Sequence, residues 1–494
     1  MTLTSFSFLC FFLVTVLVYY ILPKGLQWIV LLFSSLIFYA FSGGFGAFCF
    51  LLYGIFGTWL GALWIEKCPA DSRKRRVSTA VLVVLTLLPL FLLKYIRFFG
   101  IPAPFGSLAP LGISFYTMTI LGYVIDVSWG VVPAQRNLAR HALFAGYFPQ
   151  MISGPITRYS SMKEQLYTAH SFSYENLTYG AQRMLWGFFQ KLVISQRLAG
   201  AVDLVYDSYP AYPGWFVGIA TVCFAFQLYT DFSGCMDIVL GASQILGISL
   251  PENFHTPYFS RSISEYWRRW HITLGAWFKD YLFYPLQKSS LWSRFLGWSK
   301  GRFGKKRGKK PPLYTGMLIL WFSVGMWHGG SWNFIVGSGL LHWFYIVSGE
   351  LLAPLGKRLN SFFHIHTETF GWRLFQMLRT FFLVNLGFVF FRAPSLKTAL
   401  TLLKSMGTVW NPQVLFDQSL FLLMPAQDWV LVIFSLLLLL LVSALRQKVK
   451  LRAAIAGQNL VLRWSIYLLL FTAVLLFGCY GGDYDAASFI YQRF

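Results

Sequence analysis

Apolar residues run through this chain in long stretches separated by short polar connections. The windows 3–22, 26–41, 47–65, 77–93, 111–127, 215–229, 232–248, 374–391, 429–445 and 464–479 each read as helix approaching or spanning hydrocarbon roughly 30 Å thick. Two others, 137–153 and 179–195, are half-polar and carry Arg140, His141, Arg183 and Lys191, a pattern that suits helices lying in the interface or re-entering the membrane. There is no internal repeat, heptad seam or low-complexity segment. The expectation is an all-α polytopic membrane protein of about 11–12 transmembrane helices plus interfacial or re-entrant ones, forming a single transmembrane domain over 1–494. The first run has no basic leader and no small-residue cleavage pattern, so it reads as a retained helix.

One apolar segment is interrupted where chemistry can occur. The chain at 326–345 reads Met-Trp-His-Gly-Gly-Ser-Trp-Asn-Phe-Ile-Val-Gly-Ser-Gly-Leu-Leu-His-Trp-Phe-Tyr. A helix over 313–327 would be roughly 22 Å long, too short to cross, so it stops at depth. Gly329 and Gly330 suit its C-terminus through their access to positive φ, and Ser331 suits the N-cap of a second segment running to 347. His328 then stands at a backbone break at bilayer depth, where an ionisable group is a candidate functional residue. A core histidine bonded to a neighbouring helix explains the same pattern.

Composition agrees with the membrane class: 56% hydrophobic and 12% charged residues, with mean hydropathy +0.57. No polar stretch is long enough to form a soluble domain. The net charge of +23 would suggest nucleic acid in a soluble protein, but here Lys and Arg lie mostly in the short connections, as the positive-inside rule expects. Basic connections at 66–76 and 446–452 mark the cytoplasmic side, which places both termini outside. The six cysteines are scattered without metal-type spacing, so neither a disulfide framework nor a zinc site is expected.

A second candidate lies in 251–286. Ser262 and Glu265 form a capping box that starts a helix at Ile263, on which Trp267, His271, Leu274 and Phe278 share one face. Glu265 reaches Arg268 or Arg269, and His271 faces inward. The same density of Trp, Tyr and Arg also describes an aromatic belt containing one structural histidine. Downstream, 288–310 holds nine Lys or Arg and no acid. It reads as a basic, flexible cytoplasmic loop, or as an electrostatic collar for a phosphate-bearing donor such as coenzyme A or an acidic carrier protein.

The sequence lacks the phosphate-binding Gly-x-x-x-x-Gly-Lys-Ser/Thr loop, the Gly-x-Ser-x-Gly nucleophile elbow and the His-Glu-x-x-His zinc motif. A neutral imidazole remains, suited as general base to a hydroxyl attacking a thioester. Buried charges and broken helices would also suit a transporter of a lipid-linked envelope precursor, and a scaffold that anchors a partner enzyme is a third reading.

Several motifs together resemble the membrane-bound O-acyltransferase family, in its bacterial branch of alginate and peptidoglycan O-acetylation and teichoic-acid D-alanylation proteins. They are Trp327-His-Gly, the run Ser-Ile-Ser-Glu-Tyr-Trp-Arg-Arg-Trp-His-Ile-Thr-Leu from Ser262, Gln-Leu-Tyr-Thr-Asp-Phe-Ser-Gly from Gln227, Pro-Glu-Asn-Phe from Pro251, Phe-Pro-Gln-Met-Ile-Ser-Gly-Pro-Ile from Phe148, Pro-Leu-Gly-Ile-Ser-Phe-Tyr from Pro110 and Phe-Phe-Arg-Ala from Phe390. The resemblance implies helices around a central funnel, with His328 catalytic and His271 the second functional histidine. Trp327, Gly329, Trp267, Arg268, Arg269, Trp270, Asp231 and Asn333 would line the funnel or belong to its motifs. It further implies an acetyl-CoA or other acyl thioester donor, delivered as acyl-CoA or on an acyl carrier protein at the cytoplasmic side of a bacterial inner membrane. A separate lipase-like (SGNH-type) acyltransferase would act outside, with no bound cofactor, metal or nucleic acid. In the tail at 481–494, Tyr491 resembles a tyrosine that receives the acyl group transiently, although an aromatic tail also anchors at an interface.

Overall fold

A computed structural model describes residues 1–102 and 110–480, so the expectation for Tyr491 lies outside the described residues. Regular structure among them is helical, and the one isolated β-bridge joins Phe254 to Trp270. Among the described residues, seven helical stretches are long and apolar enough to cross a membrane: Lys24–Lys67, Arg73–Phe99, Trp215–Ile245, Trp332–Phe362, Phe370–Arg392, Ala426–Arg446 and Leu460–Phe477. Phe6–Ile21 and Ile113–Ser128 are shorter apolar helices. The protein is an all-α, multi-pass membrane protein.

Seven is fewer than the expected 11–12 partly because the two windows within 215–248 form one helix. The windows 26–41 and 47–65 are two helical segments within Gln27–Lys67 that meet at a kink at Gly44, whose φ of 73° and ψ of 173° is backbone that only glycine adopts readily. The windows 215–229 and 232–248 fuse into Trp215–Ile245. Asp231 and Asp237 do not break this helix because each carboxylate is paired within the protein, Asp231 with Lys191 and Asp237 with Arg183.

The chain forms two compact units. One comprises Met1–Val193, Thr230–Glu252 and the stretch from Lys450 onward. In it, Tyr174–Phe188 meets the 230–245 part of the long helix backbone to backbone. A Cβ on Gly187 would stand 2.5 Å from the Gly234 carbonyl oxygen, and one on Gly180 would stand 2.6 Å from that of Gly241. Small residues at both crossings let the helices approach closely, as in other membrane helix pairs. The π-helical turn Phe189–Ser195 follows directly and carries Gln190 and Lys191 to the buried carboxylates.

The other unit comprises Ile194–Tyr229 and Asn253–Val449. It contains the stretch 288–310, which is not the expected loop. Ser290–Arg307 is helical: the Trp292 backbone N–H donates to the Ser289 hydroxyl at its start, and Trp292 and Ser299 are buried. The glycines and charges that suggested a loop interrupt the helix only at Gly304, where φ is 80°.

Candidate active site

The helix Lys310–His328 ends at His328, and the chain reverses into Trp332–Phe334, the π-helical turn Ile335–Leu340 and the helix Leu341–Phe362. Glycine makes the reversal possible. A Cβ on Gly339 would stand 2.5 Å from the Trp321 carbonyl oxygen, and one on Gly337 would stand 2.4 Å from Cβ of Phe390. The π turn is therefore pressed between Lys310–His328 and Phe370–Arg392, with His328 at the tip. Asn333 closes the loop: its Nδ2 donates to the Ala393 carbonyl at 2.9 Å and to that of Phe390 at 3.3 Å, and its Oδ1 accepts from the Ser331 hydroxyl at 2.6 Å. Gly329 is extended, with φ of −174°, and not in the left-handed region expected for it. Its glycine is required by space, since a Cβ would meet the Phe334 ring at 2.6 Å.

His271 does not lie on one continuous helix with Trp267. The expected helix begins at Ile263, with Ser262 accepting from the Glu265 N–H, but ends at Arg269, and a second runs Ile272–Phe278. Between them His271 takes φ 47° and ψ 51°. A left-handed residue of this size costs about 1–3 kcal/mol and persists where its surroundings hold it. The holding segment is 253–256. The His255 N–H donates to the Arg269 carbonyl at 2.9 Å, and the Ile272 N–H to the Asn253 carbonyl at 3.0 Å. His271 Nδ1 lies 3.2 Å from Asn253 Oδ1.

These two backbone breaks meet at one indole. The Trp327 ring centroid is 5.7 Å from that of His271 and 5.1 Å from that of His328, edge-on to both. Phe391 also packs edge-on against His328, at 5.4 Å. Both imidazoles are buried, at 1% and 3% exposure. Two basic heterocycles thus share an aromatic enclosure, a setting in which a positioned imidazole moves protons without competition from bulk water. Among the described residues, no group of three or more His, Cys, Asp and Glu is placed to hold a metal ion.

Residues 134–297 match the membrane-bound O-acyltransferase family. The probable alginate O-acetylase AlgI of Azotobacter vinelandii is 32% identical over 423 residues, covering 81% of this chain and 76% of the relative. The chain belongs to the membrane-bound O-acyltransferase family. The peptidoglycan O-acetyltransferase of Helicobacter pylori is 30% identical over 416 residues, with 77% and 73% covered. The teichoic acid D-alanyltransferase of Bacillus subtilis is 30% identical over 269 residues, with 53% and 65% covered. This membrane protein is accordingly an O-acyltransferase.

Within this O-acyltransferase the residues singled out from sequence separate into groups. His328, His271 and Trp327 come together. Trp270 is buried beside Phe254 and Tyr266 and supports the corner. Arg269 pairs with Glu265 at 2.7 Å and donates to the Thr256 hydroxyl, while Arg268 is exposed. Trp267 instead packs against His342 and Trp321, each at 4.9 Å. Asp231 belongs to the other unit, in its buried pair with Lys191. The sequence reading missed three partners: Asn253 for His271, Lys191 for Asp231 and His342 for Trp267. Asn253 alone had a signal, its place in the Pro-Glu-Asn-Phe motif.

Proposed function

We propose that this O-acyltransferase passes an acyl group, most simply acetyl, from a cytoplasmic thioester across a bacterial cytoplasmic membrane, for O-acylation of a cell-envelope polysaccharide. The observation that carries the reading is the pair of buried imidazoles that both pack edge-on against Trp327. The names of the relatives, which concern alginate, peptidoglycan and teichoic acid, supply the acceptor class.

In the proposed chemistry His328 takes the proton of an acceptor hydroxyl as its oxygen bonds to the thioester carbon. The carbon–sulfur bond breaks, and the thiolate leaves with the proton as free thiol, so an ester and a thiol replace an alcohol and a thioester. His271 orients the donor. The exposed Arg302, Lys305, Lys306 and Arg307 on Ser290–Arg307 suit the phosphates of coenzyme A or an acidic carrier protein on the cytoplasmic side. Both termini lie outside in this arrangement. Tyr491 accepts the acyl group transiently and passes it to a lipase-like partner; unchanged envelope acylation in a Tyr491→Phe strain would remove that step.

The deciding experiment incubates purified protein with acetyl-CoA radiolabelled in the acetyl group and follows protein-bound label and free thiol. Thioester consumption supports the enzyme. No consumption from acetyl-CoA or from an acyl carrier protein leaves a transporter or a scaffold.

A further inference from the structure

The hydrogen bonds around Asn253 determine more than the shape of the corner. Three donors or potential donors converge on its Oδ1: the Thr273 backbone N–H at 3.1 Å, the Thr273 hydroxyl at 3.0 Å and His271 Nδ1 at 3.2 Å. A backbone N–H can only donate, so the amide atom facing it must be the oxygen. The usual ambiguity between the two ends of an asparagine side chain is thereby removed. An amide oxygen can only accept, so His271 Nδ1 must carry a hydrogen. In the neutral ring Nε2 then carries the lone pair.

We infer that Asn253 is a positioning residue that locks His271 in the Nδ1–H tautomer and presents Nε2 to the reactants as a hydrogen-bond and proton acceptor. This deepens the acyl-transfer reading and rests on it for its catalytic consequence. It gives the two imidazoles a division of labour. A neutral His271 held this way cannot polarise a thioester carbonyl, because Nε2 has no hydrogen to donate. It orients the substrate by accepting from an O–H or N–H group, and carbonyl polarisation must come from elsewhere.

The arrangement is over-determined, as a positioning device should be. Asn253 uses its backbone carbonyl on Ile272 and its side chain on both His271 and Thr273, so one residue fixes the left-handed corner and the protonation of the ring it carries. The two functions separate by substitution. Asn253→Asp keeps an oxygen for both partners. Asn253→Leu removes it. Thr273→Val deletes the hydroxyl donor but leaves the imidazole its partner.

The test has a spectroscopic arm and a kinetic arm. Solid-state nitrogen NMR of 15N-histidine-labelled protein in lipid, with the His271 signals assigned by their loss in His271→Asn, should show protonated Nδ1 and bare Nε2 in the wild type. It should show mixed tautomers in Asn253→Leu. Acyl transfer by Asn253→Leu should fall on the order of 100-fold in kcat with KM for the thioester little changed, while Asn253→Asp and Thr273→Val retain most of kcat. A bare Nδ1 in the wild type overturns the inference, and so does Asn253→Leu with wild-type kcat or a Thr273→Val defect as deep as that of Asn253→Leu. If Asn253→Leu does not fold, the wild-type spectrum and the Asn253→Asp rate still decide. A wild-type protein that transfers no acyl group refutes the proposed function, while the spectrum still settles the tautomer.

Discussion

Lys191 and Asp231 form an ion pair in which both side chains are sealed inside the protein, at 4% and 1% exposure. Neither charge could remain there alone, because desolvating a lone ion costs more than one neutral hydrogen bond returns. Lys191→Met or Asp231→Leu should each destabilise the protein by about 3–5 kcal/mol, whereas the double substitution should recover most of that loss. Thermal unfolding of the four proteins in one detergent provides the cycle, and strictly additive losses would contradict the pairing.

The reversal at His328 depends on the absence of a side chain at Gly339. Gly339→Ala would press a methyl group against the Trp321 carbonyl and should cost about 1–3 kcal/mol. It should also reduce acyl transfer by tilting the turn that carries His328. Gly297→Ala, with no atom within 4 Å of the added carbon, is the control: it should leave acyl transfer unchanged and raise stability by about 0.5–1 kcal/mol, alanine's helical preference over glycine.

His328→Ala should lower acyl transfer by roughly 10²- to 10⁴-fold, the range expected for a general base. Size-exclusion chromatography should still give a monodisperse protein, since Trp327, Phe334 and Phe391 continue to pack around the site. An aggregated variant would indicate that the ring serves the core.

Trp327→Ala would open a void beside both imidazoles and should cost about 3–5 kcal/mol, with loss of transfer. Trp327→Phe keeps a ring packed against them and should retain more of both. Equal loss of transfer in two variants of unequal stability would point to a direct chemical role for the indole.

Residues close in sequence were read more accurately than residues joined by packing. The break after His328 is legible because the apolar run before it is too short to cross and two glycines follow. The conformation of Gly329 is not legible, because Phe334 occupies the space that a side chain would need. The helix start at Ile263 follows from its cap, but helical periodicity assumes an unbroken helix. Asn253, 18 residues upstream of His271, helps break that helix after Arg269 by accepting from the Ile272 N–H. Asp231 stood out as a charge in an apolar run. Its partner lies 40 residues away and is brought to it by helices crossing at Gly187 and Gly234, a contact that no local pattern encodes.

The left-handed corner at position 271 bears on how the enzyme can be re-engineered. Besides glycine, asparagine, aspartate and histidine enter that backbone region more easily than other residues, and β-branched ones almost never do. A mutagenesis library that randomises this codon would therefore mix lost stability with lost chemistry in most of its clones. Asparagine removes the imidazole while respecting the bend, which makes it the replacement whose phenotype can be interpreted.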